Sequence, residues 1–235
     1  SGTELQVNNY VTHAWFDKND RLYAATEKEI WAGITSKNKG TKILSLDHMI
    51  ELVDYSIDNH IAVLSNGTIY YTTNQGESWD TAIVPKPFYA IQISDNGDLL
   101  GLTEDRKLLQ KTNDGWNEIA MPNSNDVPDD MKVIHNRLFI TTESGIWTRN
   151  LQEGNWRKIQ VDEMVGKFIK KGEKLFGYTY RGEAIYTIST KDESKSEKVF
   201  DASDSIVYDV EIMGDTLWVA TAPDYSWEEM PVPQR

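Results

Sequence analysis

Six short apolar segments recur along the chain at nearly constant spacing, and each ends in threonine or serine. They are LYAAT from Leu22, IAVLS from Ile61, LLGLT from Leu99, LFITT from Leu138, LFGYT from Leu175 and LWVAT from Leu217. Successive segments begin 39, 38, 39, 37 and 42 residues apart. Their last positions are Thr26, Ser65, Thr103, Thr142, Thr179 and Thr221. Self-similarity at a period of this length indicates a repeat architecture.

Each repeat is predicted to contain about four short strands, because β-branched and aromatic residues alternate with turn pairs such as Asn-Gly and Gly-Asp. A strand and a polar turn precede each apolar segment, as in AIQISDNGD before Leu99. A third strand follows, as in GTIYYTT, and a fourth can be recognised in NWRKIQV and KILSL.

A small sheet of this kind leaves an apolar face uncovered and its edges unpaired, and radial packing of several sheets resolves both problems. The sequence therefore predicts an all-β fold, a six-bladed β-propeller of four-stranded antiparallel blades in a single domain over residues 1–235. The predicted blades are 10–47, 48–85, 86–124, 125–162, 163–203, and 204–235 together with 3–9. In this arrangement the strand TELQVNN, residues 3–9, completes the last blade and closes the ring.

The stretch TTNQGESW, residues 72–79, carries a further pattern in Thr72, Asn74, Gly76 and Trp79. It resembles the Asp-box, or BNR repeat, of sialidase-like, photosystem-assembly-factor-like and sortilin-like propellers. The resemblance implies a structural role for these four residues, in which the polar side chains and the glycine shape a turn and the indole covers the blade edge. KTNDGWNE and TRNLQEGNW keep only part of the pattern. The box occurs in propellers of unrelated function, so it predicts fold and not activity.

Net charge and composition argue against nucleic acid as a partner and against insertion into a membrane. The formal net charge of −13 would repel phosphate backbones, which argues against nucleic acid as a partner. No apolar run reaches the roughly 18 to 20 residues that a membrane-spanning helix requires, so membrane insertion is not expected. The chain contains no cysteine, which excludes disulfides and thiolate metal sites but does not define the compartment.

A catalytic constellation is not recognisable. The sialidase resemblance would imply an arginine cluster, a Tyr–Glu pair and an acidic residue, but the seven arginines fall mostly in turns or strand ends. The four histidines, His13, His48, His60 and His135, form no closely spaced pair. We therefore predict a protein that is not an enzyme and has no cofactor or metal. The acidic connection 122–130, with Asp126, Asp129 and Asp130, is predicted to be a solvated loop, with cation binding as the alternative.

Binding is predicted at the end of the propeller formed by the turns between second and third strands and by the connections between blades. The candidate residues on those turns are Glu104, Asp105, Arg106, Glu143, Tyr180, Arg181, Asp224 and Tyr225. This mostly acidic set, with aromatic and arginine side chains, suits a basic protein surface or a polyhydroxylated ligand.

The predicted function is that of a non-catalytic scaffold for protein recognition or assembly, acting as a monomer. Two alternatives stay open: a carbohydrate-binding domain at the cell surface, and a diverged glycoside hydrolase. By resemblance to Asp-box propellers, a bacterial secreted, periplasmic or cell-surface location is expected.

Overall fold

A computed structural model describes residues 10–34, 40–56, 58–152, 154–171, 173–179, 184–191, 196–202, 205–213 and 216–223. Blade 1 consists of β1 (Val11–Phe16), β2 (Leu22–Thr26), β3 (Glu29–Ile34) and β4 (Thr41–Ser45). Blade 2 consists of β5 (Leu52–Tyr55), β6 (Ile61–Ser65), β7 (Thr68–Thr72) and β8 (Asp80–Ile83). Blade 3 consists of β9 (Phe88–Ile93), β10 (Leu99–Thr103), β11 (Leu108–Thr112) and β12 (Gly115–Glu118).

The remaining strands follow in the same order. Blade 4 consists of β13 (Asp130–Ile134), β14 (Arg137–Thr142), β15 (Gly145–Asn150) and β16 (Trp156–Ile159). Blade 5 consists of β17 (Val165–Lys171), β18 (Lys174–Thr179), β19 (Ala184–Ile188) and β20 (Ser196–Asp201). The last two strands are β21 (Ser205–Met213) and β22 (Thr216–Pro223). None of the described segments is a helix long and apolar enough to cross a membrane.

Every described sheet is antiparallel, and each four-stranded sheet follows the order of its strands in the chain. The hairpin of β6 and β7 shows how the sequence sets this register. Asn66 and Gly67 both have positive φ, 48° and 72°, as the favoured two-residue hairpin turns require. Ser65 consequently pairs with Thr68.

The prediction of six four-stranded blades is wrong. The described residues form five four-stranded blades, and the sixth repeat contributes the two-stranded sheet of β21 and β22. The repeat count was misleading because it registers one strand per unit, whereas a blade needs four. After Thr221 the sequence contains Pro223, Pro231 and Pro233, which have no amide hydrogen to donate to a ladder. Residues 3–9 and 224–235, to which closure of the ring was assigned, lie outside the described residues.

Apolar layers between successive sheets hold the blades together. Trp15 and Tyr23 of blade 1 pack with Ile61 of blade 2, and similar clusters join blades 2 and 3, 3 and 4, and 4 and 5. A further cluster joins blade 5 to the sheet of β21 and β22 through Val207 and Leu217. Burial of apolar area between successive sheets supplies stabilisation that an isolated blade lacks.

The threonines that end the repeated segments of blades 1, 3, 4 and 5 stabilise the turn between the second and third strands, whereas Ser65 of blade 2 donates to the carbonyl of Met49. Thr103 Oγ1 accepts a hydrogen bond from the backbone amide of Lys107 at 2.9 Å, and Thr179 Oγ1 accepts one from Ala184 at 3.1 Å. Thr26 makes the corresponding bond to Glu29. These hydroxyls are buried and satisfy backbone donors that the turn leaves without a ladder partner. A local requirement of the turn thus explains the repeated position.

The stretch at residues 72–79 folds as a closed turn. Thr72 Oγ1 accepts from the amides of Asn74 at 3.3 Å and Gly76 at 3.0 Å, and it donates to Asn74 Oδ1 at 2.7 Å. Asn74 Oδ1 also accepts from the Ser78 amide at 3.0 Å. Gly76 has φ of 89°, which favours glycine. Membership of the Asp-box family stays a prediction.

Indole groups at the rim connect neighbouring blades. Trp79 Nε1 donates to the carbonyl of Ile43 in blade 1 at 2.9 Å. In the two following blades, Trp116 Nε1 donates to Ile83 O at 2.9 Å and Trp156 Nε1 donates to Ala120 O at 2.8 Å. The last two bonds form although their surrounding sequence departs from the box pattern. We call these three interactions the rim indole bonds.

Candidate functional site

The antiparallel order of the strands brings two kinds of segment to one end of the propeller. The start of a first strand, the end of a second, the start of a third and the end of a fourth all lie at that end. It therefore carries the blade connections 46–51, 84–87, 119–129 and 160–164 and the turns 27–28, 66–67, 104–107 and 143–144. We call this end the connection face. The opposite end carries the turns between first and second strands, such as 17–21 and 56–60.

Exposed apolar side chains recur on the connection face at the entry to each first strand. They are Tyr10, Met49, Tyr89, Val127 and Met164, with exposed fractions of 81%, 57%, 37%, 37% and 49%. Each belongs to a different one of the five four-stranded blades and stands within three residues of the start of its first strand. The first strands of blades 2 to 5 contact one another in succession, as the inner strands of a propeller do. We call these five residues the apolar collar.

Charged residues surround the collar. The blade connections and turns of the connection face listed above contain ten acidic residues, namely Glu27, Asp47, Glu51, Glu104, Asp105, Asp126, Asp129, Glu143, Asp162 and Glu163. The same segments contain four basic residues, namely Lys28, Lys86, Arg106 and Lys107. The face is therefore acidic around an apolar centre.

A small cavity of about 270 Å³ opens on this face between blades 3 and 4. Tyr89, Glu104, Arg106 and Asp129 line it. Arg106 Nη1 forms an ion pair with Asp129 Oδ1 at 2.8 Å. The Tyr89 hydroxyl donates to the carbonyl of Pro128 at 2.9 Å, and burial raises the pKa of Tyr89 to about 12. The cavity is thus lined by acidic and basic side chains beside an aromatic ring.

Of the residues predicted for binding, Glu104, Asp105 and Arg106 lie together on the turn between β10 and β11. Asp105 pairs with Lys86 of the preceding connection at 2.7 Å, and this hydrogen bond holds the pKa of Asp105 below its usual value. Glu143 is exposed on the corresponding turn of blade 4. Tyr180, Arg181, Asp224 and Tyr225 lie outside the described residues.

Sequence reasoning did not identify the apolar collar, and it included neither Tyr89 nor Asp129 among the binding candidates. The available signal was positional, because Tyr10, Met49, Tyr89, Val127 and Met164 stand at equivalent places in successive repeats.

In the acidic connection 122–130, the carboxylates of Asp126 and Asp130 accept hydrogen bonds from different groups. Asp126 Oδ2 accepts from Asn123 Nδ2 and from Ser144 Oγ, each at 2.7 Å. Asp130 Oδ2 accepts from the amide of Phe168 in blade 5 at 2.8 Å. Over the described part of the chain, no group of three or more histidine or acidic residues could hold a metal ion. This loop therefore positions blades 4 and 5 and the turn at Ser144.

Polar side chains connect the first strands around the axis. The Asp54 carboxylate accepts from Gln92 Nε2 at 3.0 Å and from the Ile93 amide at 2.8 Å. Lys170 Nζ, from blade 5, donates to the carbonyl of Tyr55 in blade 2 at 2.9 Å and so reaches across the axis. Burial lowers the pKa of Lys170, with Asp54 opposing the shift. This partly buried amine therefore connects blade 5 to blade 2 across the axis.

Successive four-stranded antiparallel sheets that pack against one another define the chain as a β-propeller. Comparison with protein-family models and with curated protein sequences gives no match. Solved structures are similar in fold. YCF48 bound to D1 peptide is 13% identical with a TM-score of 0.54, and the match covers 93% of this chain and 77% of that chain.

Two further similar structures come from other contexts. The catalytically inactive H270A virginiamycin B lyase from Staphylococcus aureus with quinupristin is 15% identical with a TM-score of 0.58, covering 93% of this chain and 80% of that chain. A chain of the mitotic checkpoint complex is 13% identical with a TM-score of 0.59, covering 92% and 73%. At such identities the likeness establishes the propeller fold alone.

Proposed function

We propose that this protein is a non-catalytic β-propeller that recognises a protein partner through its connection face. The observation that supports the proposal is the apolar collar. Nine large apolar residues of the described chain are exposed, and five of them stand at the first-strand entries on this one face. Scattered exposed apolar residues need no explanation, but their concentration at one site is typical of an interaction surface.

The surroundings of the collar also suit a protein partner. Protein interfaces commonly have an apolar centre enriched in aromatic residues and methionine, with a polar rim. Tyr10, Met49, Tyr89 and Met164 provide that composition, and the acidic turns provide the rim. Among the similar structures, YCF48 is bound to a D1 peptide and another propeller belongs to the mitotic checkpoint complex. Those proteins support protein recognition as a function that this fold can perform.

A pull-down from the source organism with collar variants tests the proposal. The variants are Met49→Glu, Tyr89→Ser and Met164→Glu, alone and combined. Loss of one well-placed anchor typically costs about 1 to 2 kcal/mol of binding free energy, so each single variant should weaken partner capture roughly 5- to 30-fold. Phe16→Glu and Val199→Glu are matched controls, because these side chains are also exposed but lie away from the connection face, Phe16 at the end of the first strand β1 and Val199 within the fourth strand β20.

Capture that survives the triple collar variant, or that is lost equally in the two controls, would refute the proposal.

Sedimentation of the purified protein tests the expectation of a monomer, since a self-associating collar would show a concentration-dependent mass. Retention on a glycan array with no protein partner would instead support the carbohydrate-binding alternative. The bacterial secreted or cell-surface location remains part of the proposal on the Asp-box resemblance, and cell fractionation tests it.

A further inference from the structure

The cavity beside the collar has the dimensions of a receptor for one side chain. Its volume of about 270 Å³ lies below the roughly 300 to 1,000 Å³ of sites for drug-sized ligands. Tyr89 belongs both to the collar and to the cavity lining. A segment that covers the collar would therefore pass beside the cavity opening.

In the cavity lining the carboxylate of Asp129 is held in place, whereas the guanidinium of Arg106 is exposed and could be displaced. The side chain of Asp129 is 18% exposed, whereas that of its partner Arg106 is 57% exposed. The backbone amide of Asp129 bonds to Thr141 O in blade 4 at 2.9 Å, which anchors the carboxylate. Arg106 instead occupies a four-residue turn with φ of 59°, at the protein surface. A second cation could take the place of its guanidinium without disturbing a strand.

The other lining groups also favour a cation. Glu104 adds a second carboxylate, and the hydroxyl bond to Pro128 holds the ring of Tyr89 in place at the cavity wall. An aromatic ring and carboxylates together attract guanidinium and ammonium groups. The excess of acidic residues on the connection face adds longer-range attraction for a basic segment.

We propose that the cavity lined by Tyr89, Glu104 and Asp129 receives an arginine or lysine side chain of the protein partner. In the free protein Arg106 occupies this position as an internal competitor. The inference rests on the proposed function, because the partner segment reaches the cavity by covering the collar. It adds the chemistry of that segment, which is a basic residue flanked by apolar ones.

Two blocked peptides test the inference, acetyl-Gly-Leu-Arg-Leu-Gly-amide and the same peptide with citrulline in place of arginine. Citrulline keeps the shape of arginine and lacks its charge. We expect the Arg106→Gln protein to bind the arginine peptide about 1.4- to 5-fold more tightly than the wild type does, the range set by loss of an exposed ion pair. Asp129→Asn should weaken binding of this peptide about tenfold, and the citrulline peptide should not respond to either change.

The pair of Lys18 and Asp58 provides the matched control. It is an exposed ion pair of 2.6 Å on the opposite end of the propeller. Lys18→Gln and Asp58→Asn change the net charge by the same amounts as the two cavity variants. If binding depended only on the total charge, Lys18→Gln would tighten binding as much as Arg106→Gln, and the inference would be wrong. Arg106→Lys keeps the competing charge and should behave as the wild type.

Absence of detectable arginine-peptide binding to the Arg106→Gln protein would also overturn the inference. So would equal binding of the arginine and citrulline peptides. Thermal melts of each variant establish that it is folded. If the peptide tests fail but partner capture still depends on the collar, the inference about a basic side chain is wrong and the proposed function stands. If the peptide tests succeed but partner capture does not depend on the collar, the cavity still binds a basic side chain and the collar is not the docking surface.

Discussion

Replacement of Trp79 by phenylalanine tests whether the rim indole bonds hold neighbouring blades together. The change keeps an aromatic ring but removes the N–H that reaches Ile43 O at 2.9 Å. A neutral hydrogen bond contributes about 0.5 to 1.5 kcal/mol net, and an acceptor left unpaired in a buried site costs about 1 to 3 kcal/mol. Trp79 and Ile43 are both only half-buried, so water can reach part of the carbonyl and the lower range applies.

Loss of ring contacts adds a smaller amount, because Trp79 packs against the apolar cluster between blades 1 and 2. We therefore expect Trp79→Phe to reduce the free energy of unfolding by about 1 to 2 kcal/mol. For a chain of this size that corresponds to a fall in Tm of about 2 to 8 °C. Urea unfolding followed by far-ultraviolet circular dichroism measures the free energy, and calorimetry measures Tm.

Trp31→Phe is the matched control. The indole of Trp31 donates to Glu29 Oε2 in the same strand at 3.1 Å, so it connects no two blades. Trp31 is half-buried, as Trp79 is, but its bond lies within one strand, so we expect Trp31→Phe to cost less than Trp79→Phe, about 0.5 kcal/mol. Equal losses in the two variants would refute the argument that the bond to the neighbouring blade is what stabilises the ring.

Three further predictions concern the titration of Lys170 and Tyr89 and the packing at Gly101. In Lys170 burial lowers the pKa, so the unfolded chain binds more protons and the stability of the wild type should rise with pH up to about 10.5. Lys170→Met should remove this rise in urea unfolding, and parallel curves for the two proteins would contradict the assignment. The pKa of Tyr89 is raised to about 12, so its contribution to stability is present below pH 10 and is lost as pH rises towards 12. The tyrosinate absorbance of the wild type minus that of Tyr89→Phe should therefore show a step near pH 12, and a step near 10 would rule out the burial. An added Cβ at Gly101 would lie 2.2 Å from a ring carbon of Phe88, so Gly101→Ala should cost about 1 to 3 kcal/mol by overpacking. Partial recovery of Tm in the double variant with Phe88→Leu would locate the clash at the ring, whereas an unchanged Tm in the single variant would contradict it.

The candidate site was predicted only in part. The turn with Glu104, Asp105 and Arg106 could be assigned to a binding face because turns between second and third strands share one end of any such sheet. The pairing of Arg106 with Asp129 could not, because these residues are 23 positions apart and lie in different blades. Asp129 was considered only as part of an acidic loop that was predicted to be solvated, with cation binding as the alternative. Its observed partner depends on how blade 4 packs against blade 3.

Local chemistry is what the sequence by itself determined. The repeated threonine predicted a structural period because its hydroxyl closes a turn a few residues away, and Asn66-Gly67 predicted a hairpin because both residues accept positive φ. Both interactions join residues close together in the chain, so the sequence is sufficient to predict them.

Only the tertiary structure decided the number of complete blades, the exposure of the collar and the position of Lys170. Met49 and Met164 have the same apolar character as core residues, and they are exposed because the ring places first-strand entries at its open end. Lys170 is partly buried and bonded to Tyr55 O, 115 residues away in the chain, because blade 5 lies across the axis from blade 2. Burial of a side chain depends on which sheets surround it, and that arrangement is a property of how the blades pack together and not of any local segment.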